Sequence, residues 1–453
     1  MVLTLALLAA LPAGHAAPVP PANDMARPAA ASPSSPDTTQ SAGGATFRVA
    51  LDNLSLRNAV GVAIARHPDI SRANAEVAQR SAEVEVAQAA WYPKIEYGVR
   101  PGYGGSFGSS GNSTGARASV GVNQLVYDFG RTASRIAAAD ATLNQKQYQL
   151  ADTVETVAYN TAATFVELAA SQDVIAAARR QVAALRETRV KIVDRVRAGL
   201  SVSSDRNLAD LAILRAEAEV LKANTRFDVA AAKLTELIGA RPQRVADLAG
   251  TVDFVRALGD SGEDIEHTPS VLAAGAAVQA ADARVGFAEA ERFPSLGIGV
   301  SRAVSTGRAN ASNDTWIGLS LSGSFSFGNL NRHQIAAARA DLRASRESLE
   351  NHRLVTRSAL HAARTEADGA SARLVSYQNV ITLARASRDL YWQEYMLNKR
   401  TLTDVLTPER DIFQSEVEWI NANADGALAR IKAYVAVGLF VDRLRAQGGD
   451  RHD

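Results

Sequence analysis

The chain has 453 residues, with 49 basic and 48 acidic side chains, so its charge balance offers nothing to a nucleic-acid polyanion. It has no cysteine, which excludes disulfides, thiolate metal sites, a cysteine nucleophile and a lipid anchor on an N-terminal cysteine. Length alone gives a prior of about three compact domains, but the patterning argues against compactness.

Residues 1–17, MVLTLALLAALPAGHAA, join a short apolar run to small residues suited to cleavage near Ala16 or Ala17, the composition of a signal peptide. A basic n-region is missing, so the true start is expected upstream. A membrane anchor would need about 20 apolar residues, and Pro12, Gly14 and His15 interrupt sooner. Residues 18–45 are rich in Pro, Ala and Ser and are expected to form a disordered leader. No later segment has the character of a membrane-spanning helix.

Seven of the 14 prolines lie in the first 36 residues, and none occurs between Pro101 and Pro242 or between Pro294 and Pro408. Because an interior proline costs a helix about 3 kcal/mol, long helices are expected in those two gaps. The chain also repeats itself. HPDISRANAEVAQRSAEVEVAQAAWYPKIEYGV (67–99) resembles TPSVLAAGAAVQAADARVGFAEAERFPSLGIGV (268–300), and Pro68–Pro269 and Pro93–Pro294 are both 201 apart. IAAADATL (136–143) echoes IAAARADL (335–342), and AGLSVSSD, ending at Asp205, faces NKRTLTD, ending at Asp404. One structural unit is duplicated.

The first repeat, 46–250, is expected to hold a helix from Pro68 to Pro93, strands at 94–103 and 116–127, a long helix at 131–198 and a helix at 203–239. The second, 251–445, is expected to hold a helix at 268–292, strands at 294–304 and 315–327, a long helix at 331–398 and a helix at 402–443, before a tail at 446–453. In IGLSLSGSFSF (317–327), Ile317, Leu319, Leu321, Phe325 and Phe327 alternate with glycine and serine, a period of two. Leu296, Ile298 and Val300 alternate similarly, as do Ile95, Tyr97 and Val99, and Ala118, Val120 and Val122. Polar, glycine-rich loops at 104–115 and 305–313 complete two hairpins.

The apolar face of these strands can pack on a core or face lipid. Small polar residues opposite it suit a water-filled lumen, and Tyr97, Tyr127, Trp316 and Phe327 suit interfacial girdles. Four strands cannot close a barrel, and lipid tolerates no open edge, so membrane strands would require several chains to share one barrel.

The long helices carry heptad steps. Leu360, Ala363, Ala367, Ala370, Leu374, Tyr377, Ile381 and Ala384 alternate spacings of three and four, and Leu211, Leu214, Ala218 and Leu221 do the same. A 67-residue helix over 132–198 would run about 100 Å. So elongated a chain is expected to have little globular core and to depend on neighbouring helices. Chemistry is sparse: the seven histidines have no metal-ligand spacing, no phosphate-binding loop is present, and Gly104–Gly108 satisfies GxSxG only inside a glycine-serine loop. No catalytic residue, metal or cofactor is expected.

The duplicated unit, the secretory start and the segments HPDI, AQAAWYPKI, QLVYDFGR (124–131), AGLSVSSD (198–205) and KRTLTDVL (399–406) together resemble the TolC-like outer-membrane factors over about residues 50–445. The resemblance implies a homotrimer in the outer membrane. Its shared β-barrel takes four strands per chain and continues into a coiled-coil α-barrel that tunnels through the periplasm. It implies a periplasmic adaptor and an inner-membrane ABC or other transporter as partners. By the same resemblance, Tyr395 and Arg400 match the residues that tether the moving hairpin, Ser204 and Asp205 match their partners, and Asp404 matches one aspartate of the pore's acidic ring. Thr407 stands where some members have a second aspartate, and Glu409 is a secondary candidate for that mouth. A helix cap formed by Asp404 or Thr403 is the plain alternative.

RTLTDVLTPERDIFQSEVEWINANADGALARIKAYVAVG (400–438) is similar to the type I secretion subgroup, so export of a large protein is expected. Small-molecule efflux is the second reading, and a soluble periplasmic coiled-coil adaptor is the alternative from a different class.

Overall fold

The computed structural model describes residues 53–104, 113–242, 244–306, 312–324 and 326–447. The expected signal peptide and leader, the loop holding Ser106, and the tail beyond residue 447 lie outside them.

Chain order is α1 (Leu56–Arg66), α2 (Pro68–Gln88), β1 (Lys94–Gly104), β2 (Ser113–Tyr127), α3 (Arg131–Arg197), α4 (Ser203–Ile238), α5 (Leu248–Ala257), α6 (Pro269–Ala290), β3 (Ser295–Thr306), β4 (Ser312–Ser322), α7 (Leu330–Met396), α8 (Leu402–Ala436) and α9 (Phe440–Ala446). Helices α3 and α7 are each 67 residues long, about 100 Å at 1.5 Å per residue, and they fill the two proline-free gaps. α2 and α6 each begin on a proline, whose missing N–H is no loss in a first turn.

The four strands form one antiparallel sheet in the order β1-β2-β3-β4. Residues paired across an antiparallel sheet share a face. One face therefore carries Ile95, Val122, Val300 and Ile317 in one row, and Ile298 and Leu319 in the next. These side chains are exposed in the single chain, Ile95 at 70% and Ile317 at 71%. Gln124 joins the row of Ile298, and Arg302 the outer row of Tyr97 and Val120; the exposed apolar rows fit lipid and not a protein core. The other face carries Glu96, Gly98, Ser119, Gly121 and Ser301.

Two expectations change here. Trp316 pairs with Ser301, which pairs with Gly121, so it lies on the polar face and not in a lipid-facing girdle. Its ring lies over two glycines: a Cβ added to Gly299 or Gly318 would stand 3.0 or 2.9 Å from it. Strand β4 also stops at Ser322, short of Phe327. The last pair is Ser295–Ser322, and the next position on β3's side is Pro294, which has no N–H to extend the ladder.

Along α7 the expected seam is the buried one, with Leu360, Ala363, Ala370, Ile381 and Ala384 all within 8% exposure. On α4 the seam is displaced. Ala209, Ile213, Ala216 and Ala223 face the rest of the chain, whereas Leu211, Leu214 and Leu221 are 42%, 63% and 69% exposed. Alanines let α4 approach α3 closely, and the larger leucines stay exposed in the single chain.

A compact core does exist midway along the helices. Phe165 and Leu168 of α3, Leu234 of α4, Val255 of α5, Ile431 and Tyr434 of α8 and Phe440 of α9 pack together with Leu54, which bridges to Val245. The expected helix at 402–443 is broken there. Gly438 adopts a φ of +70°, and a Cβ on it would lie 2.2 Å from Pro269, so α8 ends against the start of α6 and α9 turns back onto the core.

Candidate functional site

The two hairpins α3–α4 and α7–α8 turn at their tips by the same local device. Gly199 and Asn398 take left-handed conformations, φ 71° and 59°. In each, a backbone bond of 2.9 Å reaches back over the last turn, from Leu200 N to Arg195 O and from Lys399 N to Glu394 O. The repeat offset of 199 therefore holds atom for atom at the tips.

Side chains then lock one tip to the other. The Tyr395 hydroxyl donates to Asp205 Oδ2 at 2.9 Å and lies 3.0 Å from Ser201 Oγ. The tyrosine is 4% exposed and packs with Ile192, Ala209, Leu402 and Val405. Burial pushes its phenol above the ordinary tyrosine value, so it stays a neutral donor at any physiological pH.

Arg195, which pattern reading did not single out, is the hub of the site. The residue is 7% exposed, and its guanidinium stands 5.1 Å from the centre of the Tyr395 ring. It donates to Asn398 Oδ1 at 2.8 Å, Ser201 Oγ at 3.2 Å, and the carbonyls of Leu200 and Met396 at 3.3 Å each. One side chain of α3 thus bonds both turns. A signal for it was present in the duplication. Shifted by 199, Arg195 falls on Glu394 and Ser201 on Arg400, so each tip has an interacting pair six residues apart with its chemistry exchanged.

Arg400 bonds within its own hairpin. Its Nε donates to Glu394 Oε2 at 2.8 Å, and its guanidinium covers the Tyr391 ring at 4.2 Å. Within the chain it makes no ion pair with Asp404 or Asp205. Asp404 closes a capping box at the start of α8: its Oδ2 accepts from Thr401 Oγ1 at 2.8 Å and Thr401 N at 3.1 Å, and Thr401 Oγ1 accepts from Asp404 N at 3.4 Å. The cap is thus Thr401 with Asp404, where the plain alternative had Asp404 or Thr403. Those Thr401 bonds hold the Asp404 carboxyl below the ordinary aspartate value, so it is charged throughout the physiological range.

Ser204 is exposed on the first turn of α4 and takes no part in the cluster. Thr407 is exposed, with its hydroxyl donating to Thr403 O at 2.9 Å. Glu409 does not stand free at a mouth. It is 8% exposed and 3.6 Å from Arg388, and burial raises its carboxyl above the ordinary glutamate value. Farther along the helices, a cavity of about 240 Å³ is lined by Asp173, Gln378 and Trp419. It holds Glu416 between Arg180 at 3.2 Å and Arg385 at 2.7 Å, so its charges are matched internally. Among the described residues, no group of three or more His, Asp or Glu could hold a metal ion.

The arrangement spans both hairpin tips. It can hold two hairpin tips together through a few polar contacts around one buried guanidinium, and release them if those contacts are replaced.

Comparison with known proteins gives a consistent picture. The family model described as outer membrane efflux protein matches residues 59–240 and 262–439. Outer membrane efflux protein BepC of Brucella suis is 20% identical over 399 residues, covering 87% of each chain. Protein CyaE of Bordetella pertussis is 26% identical over 345 residues, covering 71% of this chain and 70% of its own. The CusC channel superposes with a TM-score of 0.76 at 15% identity, over 88% of this chain and 95% of its own. The outer membrane protein VceC of Vibrio cholerae superposes at 0.73 and 15% identity, over 84% and 96%.

Proposed function

Because this chain belongs to the outer membrane efflux protein family, whose members are passive exit channels of tripartite systems, we propose that it conducts a protein substrate as the duct of a type I secretion system. The chain sits in the outer membrane, and its helices tunnel into the periplasm. The observation that carries the finer reading is the segment 400–438, similar to the secretion subgroup, which folds into α8 and runs unbroken from the tip to the equatorial core. Energy for transport comes from an inner-membrane partner reached through a periplasmic adaptor. Efflux of small molecules is the second reading, favoured by the likeness to BepC, an efflux protein by name. Deleting the gene and comparing the secreted proteome with drug sensitivity tests the choice. Loss of one or a few large secreted proteins with unchanged drug resistance is expected; lost resistance with intact secretion would reverse the order.

The hairpin tips serve, in this reading, as the periplasmic gate. Tyr395 and Asp205 hold the tips together, Arg400 steadies the second tip through Glu394, and Asp404 places one charge per chain at the mouth. Contacts of this size hold a gate shut yet yield to a docking partner that binds the open form better. Asp404→Asn is therefore expected to lower the cation-over-anion selectivity of the channel in planar bilayers, whereas Thr401→Ala, which breaks the cap and keeps the charge, leaves selectivity unchanged. Equal losses in both variants would make Asp404 a capping residue with no role in the pore.

A further inference from the structure

The polar face of the sheet has a second charged feature, at the end away from the helices. Arg100 of β1 and Arg117 of β2 are direct cross-strand partners. Direct partners lie with Cβ atoms about 5 Å apart on one face, and like charges so placed destabilise a sheet. The pair lies two residues from Gly98 and Ser119, hence on the same face as they are, opposite to Tyr97 and Val99. Both arginines are exposed. Neither has an ion-pair partner among the described residues.

Nearby carboxylates do not relieve the repulsion. On the same face Glu96 is four positions down β1, about 13 Å at 3.3 Å per residue. Its Oε2 already accepts from Asn123 Nδ2 at 3.3 Å. Asp314 pairs with Ala303, which pairs with Ser119; it is thus two strands and one row from Arg117, about 12 Å away by ordinary sheet spacings. Both distances exceed the Debye length of about 8 Å at physiological ionic strength. The rows flanking the pair are Gly98–Ser119 and Gly102–Gly115, so small residues leave space around the guanidinium groups.

Such a pair is retained at a cost to the sheet unless an anion supplies the missing charge. The face with Ile95, Val122, Val300 and Ile317 meets lipid and carries Arg302 beside Val120 in an outer row, so the opposite face, with Arg100 and Arg117, meets the barrel's interior. We propose that Arg100 and Arg117, repeated around the trimer, form a guanidinium ring in the outer end of the lumen that binds carboxylate groups of the departing substrate. Planar guanidinium forks bind carboxylates in a two-point manner, and an open, hydrated ring binds each one weakly enough to let it go. The glycine-backed Trp316 lies two rows below, in the row of Glu96 and Gly121, so a chain leaving the barrel meets an aromatic surface first and the arginines after it. This inference rests on the channel reading of the fold, and it does not depend on which partner feeds the channel.

The test uses the full-length trimer in nanodiscs and fluorescently labelled oligoglutamate, with oligolysine of equal length as control. Wild type is expected to bind oligoglutamate and not oligolysine, and the binding should weaken steeply with added salt. Arg100→Gln combined with Arg117→Gln should weaken it about tenfold or more, the summed loss of several exposed ion pairs. Arg100→Lys combined with Arg117→Lys should keep most of it, which separates loss of charge from loss of folding. Undiminished oligoglutamate binding to the glutamine variant would overturn the proposal. So would binding that appears only in Asp314→Asn, because the arginines would then be neutralised across the subunit seam. Planar-bilayer recording separates the two levels: a protein that inserts and conducts without binding the probe refutes the ring alone, and one that forms neither trimer nor channel refutes the channel reading with it.

Discussion

Arg195→Ala is expected to raise the single-channel conductance of the purified trimer several-fold and to expose the hairpin tips to protease. The residue is buried at 7% exposure, and its guanidinium donates to groups of both turns, among them Asn398 Oδ1 at 2.8 Å and Met396 O at 3.3 Å. Hydrogen bonds to a charged group contribute about 1.5–3 kcal/mol each, and truncation leaves the partner carbonyls unpaired as well. Breaking such a buried network costs about 3–5 kcal/mol. A shift of about 3 kcal/mol changes a closed-to-open ratio by roughly 150-fold, enough to move a mostly shut gate to a mostly open one. Tyr395→Phe removes only the bond to Asp205 and the contact with Ser201, so its effect should be in the same direction and smaller. Arg195→Lys keeps the charge without the fork and should fall between them. Unchanged conductance in Arg195→Ala, with helix content preserved by circular dichroism, would refute the role of these contacts in closure.

Glu155→Gln is expected to stabilise the solubilised trimer at pH 8 and to leave it unchanged near pH 4. Glu155 of α3 is 6% exposed in the equatorial core and accepts the Val441 N–H at the start of α9 at 3.2 Å. Its second oxygen, Oε2, is buried without a partner. Burial pushes the carboxyl up to about 7 from 4.5; the Val441 and Phe440 amides pull it down, and Asp442 and Asp152 push it further up. The folded chain therefore holds this proton more tightly than the unfolded chain, which releases it near 4.5. Between those two values the native state binds more protons than the unfolded state, so rising pH removes stability, fully so above about 7. A rise from 4.5 to about 7 corresponds to roughly 3–4 kcal/mol per chain. Glutamine keeps an oxygen for the Val441 amide and carries no charge to bury, so the variant's unfolding midpoint should be higher at pH 8 and its pH profile flatter. A midpoint lowered at pH 8 would mean that the ionised carboxylate stabilises α9.

Much of this fold is legible because its signals are periodic. Proline-free gaps mark the long helices, alternation marks the strands, and the constant offset marks the duplication. Other parts have no period to read. α5, ten residues between two loops, forms only because the core around Phe165 and Tyr434 gives Val255 somewhere to go. The leucines of α4 advertise a seam, but the chain buries the alanine face one step away, because two helices of one hairpin pack closest on small side chains.

The candidate site divides in the same way. Tyr395, Arg400, Asp205 and Asp404 were named by likeness to family segments, and the fold brings Tyr395 and Asp205 within 2.9 Å across 190 positions. Arg195 escaped notice because one more arginine on a helix rich in them looks like a solvated face. Its burial between two tips, and its place opposite Glu394 in the duplication, distinguish it. Glu409 shows the reverse error: an acidic residue beside the turn read as a pore charge until α8 turned it inward toward Arg388.

By itself the sequence determined the long helices, their duplication, the amphipathic strands and hence the need for several chains, since all of these follow from local patterning along the backbone. Tertiary structure alone decided which face of α4 is buried, that Glu409 turns inward, and that one guanidinium bonds both hairpin turns. Those outcomes depend on contacts between residues far apart in the chain, and a side chain's surroundings there are set by what packs against it, not by its neighbours in sequence.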